Sequence, residues 1–286
     1  MQTMQNSISP LAVGVITGLR EGALAGLQAV RDAGIFTVHL QYPAQFDNAE
    51  GIEQIRDAVR QTGVVITTVF CGFEGESYAD IPTVINTVGL VPEEPRAARV
   101  EKIEQISQFA RELGVGRVGA HIGFIPHDPA DPRFDALVET VRGICDSLGK
   151  REQNFALETG QETAQALKVF IEEVARPNLK VNFDPANMVL YGTEPPIPAT
   201  KLLMPWIDGV HCKDGTWPTE KDQLGHEVPF GQGDVAATEW LQTLIEAGYR
   251  GPLTIEREIS GPAQMQDVLA AKTLIESVVK NAGDLD

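Results

Sequence analysis

The sequence predicts an α/β protein closing into a single (β/α)8 TIM barrel. Eight short runs rich in β-branched and aromatic residues alternate with eight longer amphipathic stretches, and the 286 residues divide into units of about 36 residues each. In addition, five of the helical stretches run into a glycine, in RDAGIF, RQTGVV, RELGVG, CDSLGK and EAGYRG, where a left-handed residue can close a helix before the next strand.

The first strand is expected over 11–17 (LAVGVIT) with a helix near 21–33, and the second over 35–42 (IFTVHLQY) with a helix near 50–62. The third, 64–71 (VVITTVFC), is separated from its helix at 95–113 by a long connection, 72–94. The next three strands, 117–125, 153–159 and 179–184, precede helices near 132–149, 162–175 and 197–205. The seventh, 207–212 (IDGVHC), meets a second long connection, 213–235, before a helix near 236–247; the eighth, 252–257, leads into 262–280. Connections of this length in a compact domain carry function, and in a barrel both would rise over the mouth at the C-terminal ends of the strands. No repeat or composition break divides the chain, so residues 1–286 are read as one domain. An open doubly wound sheet is the alternative architecture, but the TGLREG after the first strand makes a poor phosphate-binding turn.

Charge and composition exclude several function classes. With 23 Lys and Arg against 40 Asp and Glu, the net charge of −17 repels phosphate backbones and argues against nucleic-acid or anionic-membrane partners. Cys71, Cys145 and Cys212 are widely spaced with no CxxC, so neither a disulfide framework nor a thiolate zinc site is indicated, and a reducing cytoplasm is the expected compartment. The opening MQTMQNSISPLAVGVITG lacks the basic start and continuous apolar core of an export signal, and no apolar run approaches the roughly 20 residues of a membrane span. The sequence leaves open a homo-oligomer.

Four polar residues interrupt apolar runs where strands should leave the barrel: Glu158 in ALETGQE, Asp184 in VNFDPAN, His211 in GVHCKDG and Glu256 in TIERE. Three carboxylates crowded at one mouth repel one another, and a cation is needed to hold them. One divalent metal is the simplest solution. An oxygen-rich set with one nitrogen and no sulfur suits Mn2+, the favoured ion here, or Mg2+, Co2+ or Zn2+.

The linked motifs LETGQE, NFDPAN, GVHCKDG, VPFGQGDV and YRGPLTIERE, spanning about residues 150–258, resemble the sugar-phosphate isomerase/epimerase superfamily with the xylose isomerase-like TIM barrel. The resemblance implies that Glu158, Asp184, His211 and Glu256 are the metal ligands. It also implies that Glu158 and Glu256 double as the acid–base pair, in an isomerase or epimerase of carbohydrate metabolism working through a metal-stabilised enediolate. An inosose dehydratase-like lyase and a non-catalytic sugar-binding barrel are the alternatives. Where many ketose epimerases carry a histidine after the sixth-strand aspartate this chain has Asn187, and where they carry an arginine after the seventh-strand histidine it has Lys213. Both can still hydrogen-bond sugar hydroxyls.

His121 and His39, at the ends of the fourth and second strands, are read as substrate contacts, and Trp217 and Phe73 on the long connections as walls of a closed pocket. His127 and His226 fall in loops and are expected in solvent. Asp214 is the one nearby candidate for a second metal, and Glu162 is expected to open the fifth helix, where a carboxylate favours the dipole. Cys212 should face the helices, away from its neighbour His211.

Overall fold

The structure, a computed structural model, describes residues 8–283. Residues 1–7 of the segment read against an export signal, and 284–286 of the expected domain, lie outside the described residues.

Eight parallel strands form a closed barrel, which rules out the open sheet. They are β1 (Val13–Thr17), β2 (Thr37–Gln41), β3 (Val65–Phe70), β4 (Arg117–His121), β5 (Asn154–Glu158), β6 (Leu179–Phe183), β7 (Ile207–Cys212) and β10 (Leu253–Ile255). β10 lies between β7 and β1 and completes the ring. The outer helices are α1 (Ala23–Asp32), α2 (Ala49–Thr62), α4 (Glu93–Glu112), α5 (Pro132–Gly149), α6 (Ala164–Val174), α8 (Pro196–Leu203), α9 (Ala237–Glu246) and α10 (Pro262–Gly283). Among the described residues, no helix is long and apolar enough to cross a membrane.

Alternation along the strands divides the barrel chemically. Val118 and Ala120, Phe155 and Leu157, Val181 and Phe183, Val210 and Cys212, and Leu253 and Ile255 all belong to the apolar core that the helices cover. Phe183, for instance, stacks on Trp240 of α9 at 6.4 Å. The intervening positions carry Thr37, His39, Thr68, Arg117, Asn182, His211 and Thr254 beside the aromatic Phe70, so the barrel axis is largely polar.

Gly34, Gly63, Gly114 and Gly248 take the positive φ expected of helix-closing residues. Gly149 does not: it is the last residue of α5, and the left-handed φ falls on Glu152 instead. The two long connections are also more ordered than plain loops. Residues 72–94 contain α3 (Ile81–Thr87), and 213–235 contain an antiparallel ribbon of β8 (Asp214–Gly215) and β9 (Glu227–Val228). Arg99 of α4 secures the first connection by donating to the carbonyls of Gly89 (2.6 Å) and Thr87 (2.7 Å). Gly89 has φ 76°, and a Cβ there would meet the Ile122 backbone at 2.1 Å. The connections are tied together by a bond from Ile81 N–H to the Asp222 carbonyl (3.0 Å) and by a small apolar cluster of Val84, Val88 and Tyr191 with Leu224 packed against it.

Candidate metal centre

Register explains why four strand-end side chains meet. Glu158 ends β5 opposite Asn182, and two residues on, Asp184 leaves β6 on the same face. His211 pairs with Thr254, which is followed two residues later by Glu256. Asp184 also caps α7 (Pro185–Leu190), accepting the Asn187 N–H at 3.0 Å through one oxygen.

All four side chains are buried, and each offers an atom within 4.8 Å of the others'. His211 Nδ1 faces Glu158 Oε1 at 2.7 Å, Glu256 Oε2 at 3.2 Å and Asp184 Oδ2 at 3.7 Å. Burial alone would lower the His211 pKa, but Glu256 and Glu158 outweigh it and hold the imidazole well above its usual value. Burial pushes the Asp184 carboxyl up to about 6, against the pull of Lys213 and His211. Glu256 is held well below the carboxylate range despite burial, because Lys213 and His211 flank it.

These residues fit a divalent cation. Asp184 Oδ2 is buried without any hydrogen-bond partner, and three hard oxygens plus one imidazole nitrogen are a donor set such an ion accepts.

The profile of the xylose isomerase-like TIM barrel family matches residues 27–277. The chain belongs to that family. A xylose isomerase domain protein from Planctomyces limnophilus is 40% identical, superposes with a TM-score of 0.92, and is matched over 96% of this chain and 99% of its own. A xylose isomerase-like TIM barrel protein from Mycobacterium smegmatis, solved in complex with magnesium, shares the fold at 16% identity (TM-score 0.69; 95% of this chain, 97% of that one). So does a 3-keto-D-glucoside 4-epimerase from E. coli at 14% identity (TM-score 0.70; 93% and 99%). No match was found among curated proteins.

Around this family barrel's four-residue cluster the other sequence-predicted residues are distributed unevenly. Lys213 is buried, with Nζ 3.3 Å from Glu256 Oε2, 2.9 Å from Glu258 Oε2 and 3.4 Å from Asn187 Oδ1. His121 Nε2 lies 3.1 Å from Glu158 Oε2. His39 is 1% exposed and sits behind His211, its Nδ1 3.1 Å from His211 Nε2, which differs from the substrate contact read for it. Phe73 packs under the Arg99 guanidinium, 5.4 Å from the ring centre, and is half-buried, as is Trp217 on the other connection. His127 and His226 are exposed.

Asp214 is not available to a second metal. Its carboxylate accepts the backbone N–H groups of Gly215, Gly231, Gly233 and Val235 at 2.9–3.1 Å and buckles the GQGD turn. Gly233 is required there, since a Cβ would lie 2.3 Å from Asp214 Oδ1. Glu162 does not cap its helix either: Thr163 does, and Glu194 accepts the Ala164 N–H. Glu162 is buried with neither oxygen hydrogen-bonded. Sequence reasoning missed Tyr78, whose ring lies 5.7 Å from that of His121, and Glu258; the first lies inside the long connection 72–94 and the second two residues past Glu256, but neither interrupts an apolar run.

Proposed function

We propose that the chain is a divalent-metal-dependent isomerase or epimerase of a small sugar or other polyhydroxylated carbonyl compound, with residues 1–286 acting as one domain. The observation that supports this reading is the buried convergence of Glu158, Asp184, His211 and Glu256. Bound by these four, preferably as Mn2+, the metal would draw charge from a carbonyl oxygen and its neighbouring hydroxyl and so acidify the C–H between them.

Glu158 and Glu256 supply the proton transfer. Glu158 ends β5 and Glu256 directly follows β10, the outermost strands of the four-strand arc that carries the cluster, and so the two approach a substrate from different sides. One takes the proton and the other returns it, to the opposite face or to the adjacent carbon. Lys213 beside Glu256 holds that carboxylate ionised, the state that accepts a proton, and His121 orients Glu158 through Oε2. Asn187 and Lys213 offer an amide and an ammonium to substrate hydroxyls, and Trp217 and Phe73 brace the two connections that flank the mouth.

The test is turnover of a panel of ketoses and related keto-polyols in D2O, by protein stripped with a chelator and reloaded with Mn2+. Activity should require reloading, deuterium should appear at the reacting carbon, and Glu158→Gln or Glu256→Gln should each lower turnover on the order of 10²-fold. Complete retention of the substrate's own hydrogen would point to a hydride shift and overturn the acid–base pair.

A further inference from the structure

His211 can bind a cation only through Nδ1, the nitrogen that faces Glu158, Asp184 and Glu256; Nε2 points the other way, down the barrel. A neutral imidazole with its Nδ1 lone pair free carries its hydrogen on Nε2. His211 is 0% exposed, so that hydrogen needs a partner inside the protein. The atom facing it is Nδ1 of His39, at 3.1 Å. On the far side of the His39 ring, Nε2 lies 3.3 Å from Thr254 Oγ1, which can accept the hydrogen left on that nitrogen. Phe70 wedges against both rings, with centroids 5.4 Å from His39 and 5.1 Å from His211, and limits how either can turn.

We propose that His39 is a positioning residue: by accepting the Nε2–H of His211 on its own Nδ1, and passing its Nε2–H to Thr254, it fixes the tautomer in which His211 presents a lone pair to the metal. This rests on the metal site proposed above. It gives the buried histidine in the middle of β2 a place in the site without any contact to substrate. Partners of this kind beneath a metal-bound histidine typically govern 10–100-fold in affinity.

Two measurements test it. Mn2+ affinity, read from the free-ion EPR signal, should fall 10–100-fold in His39→Leu. It should stay within a few-fold of wild type in His39→Asn, whose Oδ1 occupies nearly the place of Nδ1 and can accept the same hydrogen. Independently of any variant, ¹⁵N NMR of the wild-type protein loaded with Zn2+ should show His39 protonated on Nε2 and bare on Nδ1. A proton on His39 Nδ1, or wild-type affinity in His39→Leu, overturns the relay while leaving the metal site standing. Wild-type protein that binds no Mn2+ at all overturns both.

Discussion

Replacing Glu162 with glutamine should make the protein more stable, and increasingly so as the pH rises. The carboxyl is 1% exposed and neither oxygen has a hydrogen-bond partner. Burial lifts its pKa from 4.5 to about 8. In the unfolded chain the proton leaves near pH 4.5, whereas the native state keeps it until about pH 8. Across that window the native state binds more protons than the unfolded one, so native stability falls by about 1.4 kcal/mol for each pH unit. The accumulated cost is on the order of 3 kcal/mol at pH 7 and 4–5 kcal/mol at pH 8, where it levels off. Glutamine has nearly the same shape and no proton to lose. Urea unfolding of chelator-treated wild type and Glu162→Gln, followed by tryptophan fluorescence at pH 4.5, 6, 7 and 8, should therefore give matching stabilities at the lowest pH and a widening gap above it. A gap that does not change with pH would refute the reasoning, because it would mean that Glu162 is charged in the native state or has found a partner.

Asp214→Ala removes the acceptor of four backbone N–H groups and should cost on the order of 3 kcal/mol, with limited proteolysis shifting to residues 215–235. Asp208→Asn should also destabilise. Burial alone would raise the Asp208 carboxyl, but Arg117, at 2.6 Å, outweighs it and holds the group below its usual value. The stabilisation is thus present above pH 4 and lost below it, so a deficit of about 2 kcal/mol at pH 7 should shrink at pH 3.5 in the same unfolding assay.

The barrel was legible because a strand covered by a helix must carry apolar residues at alternate positions, as Phe155 and Leu157 or Val181 and Phe183 do, and such runs stand out between amphipathic stretches. The cluster was legible for the opposite reason: Glu158, Asp184, His211 and Glu256 are costly to bury, and each closes an apolar run. Depth along the barrel axis was not legible. Alternation says that His39 points inward, but not that it lies one layer below the mouth, because that depends on the register of β2 against β1 and β3. Nor could sequence separate Asp214 as a ligand from Asp214 as a turn buckle, since its four partners are backbone amides that leave no side-chain signature. Gly149 did mark the end of α5, but the left-handed residue that turns the chain is Glu152, three positions on, and nothing in a non-glycine residue announces that conformation.

The polar axis of the barrel divides labour in an unusual way. Like a cask, the wall is held by its hoops: most of the apolar surface removed from water lies between the strands' outer faces and the helices, and the staves meet inside over threonines, an asparagine, an arginine and two histidines, with Phe70 wedged among them. Cohesion and chemistry therefore draw on different side chains of the same strands. A lineage could exchange inward residues to suit a new substrate while the outward ones, which carry the free energy of burial, stayed as they were.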